Sequence, residues 1–378
     1  MIRKAAIDIG TNTTRLLIAD LAHDGNFTEI FCRRIITRLG EGLYNHSYLN
    51  DAAVQRTLDA LIIYSKDIKK YNCSNVRAVA TSAVREAENG EEFVRKAKRE
   101  TGLHLEVIDQ EEEARLATLG VLSGLREKPE SAIIFDVGGG STEFILVDKH
   151  ADPIKRQVAA TTIRNGKPNW TDSEGRLPEG LRPWKAEIKW SYRSGKQTEN
   201  SSELCIRRCK KQELTAPKKE KLLRCNSLKI IGIPIGVVHL TEKHIKSDPV
   251  NQKELSTLRV EVKKELTKVK KEIGHVRDFT LIGTAGTSTQ FAALDLDLFP
   301  YDAVAVNGHK MSFSVIENIF AELKSKTAAE RKAIRAMEHG REDLIIPGGV
   351  ILLEVMELFN AKELTISDFG LREGIIIK

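Results

Sequence analysis

Two stretches of this sequence combine an aspartate, glycines and small hydroxyl residues as a phosphate site requires. Ala6-Ile7-Asp8-Ile9-Gly10-Thr11-Asn12-Thr13-Thr14-Arg15 aligns without gaps, at an offset of 128, with Ile134-Phe135-Asp136-Val137-Gly138-Gly139-Gly140-Ser141-Thr142-Glu143. Each copy runs from an apolar stretch through Asp-x-Gly and small residues into a second apolar stretch, which predicts two strands joined by a tight hairpin, with glycine admitting positive φ. Backbone N–H groups around Gly10, Thr11, Asn12 and Thr13, and around Gly138, Gly139, Gly140, Ser141 and Thr142, are expected to point into one concavity. Bulkier side chains would keep a phosphate away. Asp8, Asp136 and Glu143 supply the carboxylate oxygens that Mg²⁺ accepts while it also bridges phosphate oxygens. One such turn is as well explained by an ordinary hairpin; the repeat, with Asp before each loop, favours a ligand.

Three other groups of residues suit the same chemistry. Ile282-Gly283-Thr284-Ala285-Gly286-Thr287-Ser288-Thr289 leads from a predicted strand into a helix, and Gly283, Thr284, Gly286 and Thr287 would leave room for an anion at the helix N-terminus. Close packing accounts for that composition equally well. Arg15 and Arg85 are candidate phosphate clamps, since guanidinium forks match phosphate oxygens, although a surface ion pair is the plainer role. Glu111, Glu112 and Glu113 open a predicted helix, where acidic residues ordinarily complement the macrodipole. One of them, aimed into a cleft, would accept a proton from water.

The elements that must position these groups read as alternating strands and helices. The first hairpin is followed by a strand at 29–34, a helix at 52–71, a strand at 76–80, a helix at 91–100, a strand at 105–108 and a helix at 111–125. After the second hairpin come helices at 249–273, 311–323 and 343–359, with strands at 279–282 and 364–367. This is an α/β pattern in two similar halves with a cleft between them. A length of 378 residues with 41% hydrophobic content fits two domains of about 150 residues. The first is expected over 1–126, completed by 360–378, and the second over 127–359.

Net charge is +6, and its distribution is uneven. Residues 158–230 hold about 17 Lys and Arg against about 8 acidic residues, all three tryptophans and no phenylalanine, so this window reads as an atypical basic insertion in the second domain. It reads as a loop or a foreign graft; binding of nucleic acid or polyphosphate by its basic residues and tryptophans is the weaker reading. The five cysteines show neither CxxC nor His-rich spacing, which argues against a disulfide framework or a zinc site and for a reducing cytoplasm. No stretch reaches the ~18 apolar residues of a membrane span.

Taken together, the ordered motifs resemble the exopolyphosphatase and guanosine pentaphosphate phosphatase (Ppx/GppA) family of the actin, sugar-kinase and Hsp70 superfamily. The resemblance is carried by Asp8-Ile9-Gly10-Thr11-Asn12, Arg38-Leu39-Gly40-Glu41-Gly42-Leu43, Ala80-Thr81-Ser82-Ala83-Val84-Arg85, Glu112-Glu113-Ala114-Arg115-Leu116, Asp136 to Glu143, Gly236 to Glu242, Gly283 to Thr287 and Asp368-Phe369-Gly370-Leu371-Arg372-Glu373-Gly374. It implies two ribonuclease-H-like (actin-like ATPase) domains whose cleft hydrolyses the terminal phosphoanhydride of inorganic polyphosphate, of guanosine pentaphosphate, or of both, with Mg²⁺ or another divalent cation. It also implies that Glu113 activates the attacking water, that Asp136 and Glu143 lie near metal and terminal phosphate, and that Arg85 contacts the same group. Homodimers are common in the family. The sequence ends at Lys378 just after the Gly-Leu-Arg-Glu-Gly signature, which suggests the short, two-domain type. The competing readings are a superfamily ATP-dependent kinase and a nonhydrolytic polyphosphate or alarmone sensor disabled by the insertion.

Overall fold

The computed structural model describes residues 1–23, 25–148 and 227–378. Most of the basic window, with Cys205, Cys209 and Cys225, lies outside them. Two sheets organise the rest. The first has the order β3-β2-β1-β4-β5, from β1 (Ile2–Ile9), β2 (Thr13–Leu21), β3 (Phe27–Ile36), β4 (Asn75–Ala80) and β5 (Leu105–Val107). The second has the order β10-β11-β9-β6-β7-β8, from β6 (Ser131–Val137), β7 (Thr142–Asp148), β8 (Ser227–Ile233), β9 (Thr280–Thr284), β10 (Lys310–Ser312) and β11 (Glu363–Ile366). In each, a three-stranded antiparallel meander is joined by parallel strands on its inner side. This is the repeat made visible.

Thirteen helices are described: α1 (Leu43–His46), α2 (Asp51–Lys70), α3 (Ser82–Glu86), α4 (Gly90–Thr101), α5 (Gln110–Gly124), α6 (Val237–His244), α7 (Gln252–Ile273), α8 (Ala285–Asp295), α9 (Ala303–Val306), α10 (Phe313–Ser325), α11 (Ala328–Lys332), α12 (Ile345–Leu358) and α13 (Leu371–Ile377). The helix expected from 311 starts later. Met311 pairs with Leu364 in β10, and Ser312 caps α10 by accepting from the Val315 N–H. Residues 227–230, counted in the basic window, are strand: Leu228 and Ile230 pack on the second sheet's inner core, so the insertion boundary expected at 230 overruns. The segment 360–378 is divided, with β11 in the second sheet and α13 against the first.

Strand periodicity decides where the chemistry points. In the first hairpin Ile7, Ile9, Leu16 and Ile18 enter the outer core under α2 and α4, while Ala6, Leu17 and Ala19 face the other way, toward α5 and α13. Asp8 and Arg15 share that second face. In the second hairpin Ile133, Phe135, Val137 and Phe144 enter the outer core, and Ala132, Ile134, Ile145 and Val147 face α5. Asp136 and Glu143 lie on the α5 side by the same alternation. Both aspartates therefore look into the layer between the sheets.

Helix α5 is the shared wall of that layer. Asp109 caps it by accepting from the Glu112 N–H at 2.8 Å. Leu116 joins Leu371, Ile375 and Ile376 of α13 against the first sheet, and Ala114, Val121 and Leu122 pack on the second. Contact with α13 is at backbone distance. A Cβ on Gly374 would stand 1.9 Å from the Leu116 carbonyl oxygen, and one on Gly120 would stand 1.9 Å from that of Gly370.

Candidate active site

The two hairpin turns are built alike and touch. The Gly10 N–H donates to the Thr13 carbonyl at 3.1 Å, and the Gly138 N–H donates to the Ser141 carbonyl at 3.0 Å. None of Gly10, Gly138, Gly139 and Gly140 adopts a positive φ, so the torsional reason expected for them does not hold. Space is the reason. A Cβ on Gly139 would lie 2.8 Å from Thr11 Cβ, and one on Gly140 would lie 2.3 Å from Ser82 Oγ, so glycine lets the second turn close on the first. Neighbouring backbone engages the turn carbonyls: Gly40 N–H donates to Thr11, Thr37 and Arg38 N–H donate to Asn12, and Val237 and Val238 N–H, at the start of α6, donate to Gly138 and Gly139. Among the described residues the N–H groups of Thr11, Asn12, Gly139 and Gly140 donate to no backbone carbonyl.

A cleft opens beside the paired turns. It is lined by Asp8, Gly10, Thr11, Asn12, Thr13, Arg15, Glu113, Asp136, Gly138, Ser141, Thr284 and Gly286 among the residues expected from sequence. The other expected residues lie behind this surface. Gly139 and Gly140 face Thr11 and Ser82; buried Thr142 donates to the Ile235 carbonyl at 2.6 Å; Gly283 packs against Ser288 and Phe135; and Thr287 is buried against Gly348. Arg85 does not reach the cleft surface as a free clamp. Its Nη1 donates to Glu113 Oε2 at 2.9 Å and to the Ile108 carbonyl at 3.0 Å, which fixes the Glu113 carboxylate.

The carboxylates crowd one another. Asp136 and Glu143 are opposite residues in the β6–β7 ladder, as Asp8 and Arg15 are in the β1–β2 ladder. Arg15 lies 4.0 Å from Asp8 and balances it, whereas Glu143 adds a second negative charge beside Asp136. Glu143 is buried, and its Oε1 accepts from Gln110 Nε2 at 2.9 Å and from Ser141 Oγ at 2.6 Å. Burial, then repulsion by Glu143, pushes the Asp136 carboxyl up to about 7. The same two causes, opposed by Arg85, raise Glu113 well above the ordinary carboxylate range. Burial raises Asp8 as well, against the pull of Arg15 and Arg372.

Sequence reasoning missed part of the lining. Arg341, Asp368, Arg372 and Glu373 stand in the cleft wall with Thr81 and Ser82. Arg372 is ion-paired with Glu373 at 3.2 Å and Asp368 at 3.9 Å. Both stand in the Asp-Phe-Gly-Leu-Arg-Glu-Gly motif, which carried the signal without a role. Nothing local marks Arg341. Its guanidinium fills the space left by Gly286, so this glycine makes room for an arginine where the sequence suggested room for a ligand. Gly232 of β8 likewise makes room for Gln110, whose side-chain nitrogen would stand 1.9 Å from a Cβ there.

The donor set was tested for a divalent cation. Among the described residues no three His, Cys, Asp or Glu side chains gather as a ready-made metal cage. Asp8 and Asp136 both line the cleft, however, and buried Asn12 Oδ1 has no hydrogen-bond partner. Two carboxylates and an amide oxygen facing a phosphate site suit Mg²⁺, which takes few protein ligands and completes its shell with water and phosphate. Among the described residues no helix is long and apolar enough to cross a membrane.

Comparison with known proteins agrees with the two-sheet α/β fold. The sequence model of the Ppx/GppA phosphatase family matches residues 17–162 and 223–378, which leaves unmatched 1–16 and 163–222, the latter inside the basic window. Exopolyphosphatase 2 of Mycobacterium tuberculosis is 27% identical over 388 residues, covering 99% of this chain and 98% of that protein. A bifunctional 3-dehydroquinate synthase/phosphatase of Fusobacterium nucleatum is 26% identical over 386 residues, and there the match spans 46% of the relative. The crystal structure of an Aquifex aeolicus Ppx/GppA family member is 29% identical, with a TM-score of 0.66 over 100% of this chain and 96% of that one.

Proposed function

The chain belongs to the Ppx/GppA phosphatase family, and from that premise we propose that it hydrolyses the terminal phosphoanhydride of inorganic polyphosphate, of guanosine pentaphosphate, or of both. One observation carries the reading: Glu113, fixed by Arg85, shares a cleft with two touching Asp-Gly turns. The turn N–H groups and Arg15 hold the terminal phosphoryl group. A water between that group and Glu113 attacks phosphorus in line; its proton passes to the Glu113 carboxylate, the bridging P–O bond breaks, and the leaving oxygen takes the electron pair. The products are inorganic phosphate and a chain one unit shorter. Raised basicity suits Glu113 to this role, because a base with a pKa near the working pH transfers protons best.

Asp8, Asp136 and Asn12 would hold a divalent cation, and when bound it supplies positive charge to the phosphate oxygens. Glu143, expected as a third ligand, has one oxygen committed to Gln110 and Ser141 and serves by making Asp136 and Glu113 more basic. Phosphate release from polyphosphate and from guanosine pentaphosphate, with and without Mg²⁺, tests the proposal. Failure to release phosphate from either would refute it.

A pH dependence follows. The folded-state pKa of Asp136, about 7, lies above the ordinary carboxylate value, so between those two values the folded protein binds a proton that the unfolded chain releases. In the cation-free protein this contribution to stability is complete below the ordinary value and is lost as pH rises through about 7. Cation binding displaces that proton, so affinity for Mg²⁺ should fall about tenfold per pH unit below neutrality. Thermal melts at pH 6 and pH 8, with and without Mg²⁺, check both effects: the cation should raise Tm more at pH 8. Equal stabilisation at the two pH values would contradict the assignment of Asp136.

A further inference from the structure

Two unlike chambers border the cleft. One, a side chamber that shares Thr11 and Ser82 with the cleft, presents acceptors: Glu86, Glu242 and His239. His239 Nδ1 lies 3.1 Å from the Pro234 carbonyl, which fixes the proton there and leaves Nε2 a lone pair; both that nitrogen and Glu242 Oε2 are buried without a partner. Tyr44 stacks on the imidazole with ring centres 3.8 Å apart, and the Gly42 N–H donates to Glu242 Oε1 at 2.8 Å, so α6 and the α1 loop meet across this chamber. A polyanion finds carboxylates and a bare imidazole lone pair there. That chamber repels it.

From Arg341 in the cleft wall a line of arginines leads into the second. Arg341 stands in the cleft wall and is bound by Glu338, whose other oxygen pairs with Arg34 Nε at 2.8 Å. Arg34 borders an adjoining pocket together with Arg335, and aromatic rings back both guanidinium groups: Arg34 lies 5.6 Å from the Tyr301 ring centre and Arg335 5.5 Å from that of Phe299. Rings behind the guanidiniums hold their planes in place; Arg335 Nη2 donates to the Phe299 carbonyl at 3.0 Å, and its other N–H groups are the ones an anion would meet. Among the described residues that line this pocket Glu338 is the one carboxylate, and it occupies the place between Arg341 and Arg34 that a bridging phosphate would take.

We propose that the phosphate chain behind the scissile bond leaves the cleft past Arg341 and Arg34 toward Arg335, and displaces Glu338 from between the first two. Arg34 and Arg335 then form a subsite for phosphoryl groups beyond the terminal three, whether these belong to polyphosphate or to the second diphosphate of a guanosine nucleotide. The inference rests on the proposed phosphohydrolase reading, but its test does not need turnover.

The test is a binding titration in the nonhydrolysing Glu113→Gln background with tripolyphosphate, medium-chain polyphosphate and guanosine pentaphosphate. Adding Arg34→Ala should weaken medium-chain binding roughly tenfold, the size of one lost charge-assisted contact, and shift tripolyphosphate by less than twofold. Arg335→Ala, remote from the cleft wall, should reproduce the effect, and Glu338→Gln should tighten medium-chain binding. Loss confined to polyphosphate assigns the subsite to the polymer; loss with the nucleotide as well assigns it to both. Lys243→Ala, beside Tyr44 of the side chamber, should leave all three ligands unchanged. The proposal is overturned if Lys243→Ala weakens medium-chain binding while Arg34→Ala and Arg335→Ala do not, or if the arginine variants weaken tripolyphosphate equally. Failure of the hydrolase reading would show separately, as wild-type protein that releases no phosphate.

Discussion

Glu113→Gln should lower kcat for phosphate release by about 10²- to 10⁴-fold, the range over which general bases contribute, and should leave KM within a fewfold of wild type. Glutamine keeps the size of the side chain and can still meet Arg85, now 2.9 Å from the carboxylate, so α5 and the cleft wall should survive. What disappears is the ability to accept a proton. Burial and Glu143 lift the Glu113 carboxyl well above the ordinary range, so wild-type activity should rise with pH along a limb displaced upward from that of a free carboxylate. The variant's residual activity should lack that limb. A pH profile of kcat for both proteins checks the two statements together. If Glu113→Gln kept kcat within threefold of wild type, the base would have to be sought elsewhere.

Gly374→Ala should cost the fold heavily and activity with it. The added methyl would stand 1.9 Å from the Leu116 carbonyl oxygen and 2.6 Å from its carbon, so backbone meets the methyl and no side chain can turn aside. Overpacking typically costs about 1–3 kcal/mol, and this contact belongs at the upper end, which corresponds to a fall in Tm of roughly 5 °C or more. Relief requires α5 and α13 to move apart. Because α5 carries Glu113, a shift of about 1 Å is enough to cost on the order of 100-fold in rate in protein that is still folded. Melting curves together with kcat measured well below Tm separate the two losses. Wild-type Tm in this variant would mean that the helix crossing is looser than described. Gly120→Ala, which meets the Gly370 carbonyl at 1.9 Å from the other side, should behave alike.

The parts of the site that lie close together in sequence were readable, and the parts that folding brings together were not. Asp8 with Gly10 to Thr13, and Asp136 with Gly138 to Ser141, announce themselves because the hairpin is a local structure and the offset of 128 repeats it. Alternating burial along β1, β2, β6 and β7 follows from the same residues. Arg341 and Arg34 carry no local pattern; Arg341 reaches the cleft wall, and Arg34 the pocket beside it, through the packing of the 338–343 loop on β3 and the residues after it, where Glu338 meets Arg34 at 2.8 Å and Arg38 meets Asp343 at 3.0 Å. Strand β8 was hidden by its surroundings, since the charge count of the basic window ran across Leu228 and Ile230. A deletion meant to test that window should accordingly stop before Ser227. Glycine was misjudged for a physical reason: sequence can show that a side chain is unwelcome, but torsion and proximity give the same signal, and here proximity decides.

Positions 15 and 143 occupy equivalent places in the two copies of the hairpin, yet one holds a cation and the other an anion. A single reversal of sign therefore cancels the internal twofold character that duplication would have left behind. Any guest lying across the pair meets opposite poles and has one way round to lie. Directionality in a doubled scaffold can thus depend on a single pair of side chains.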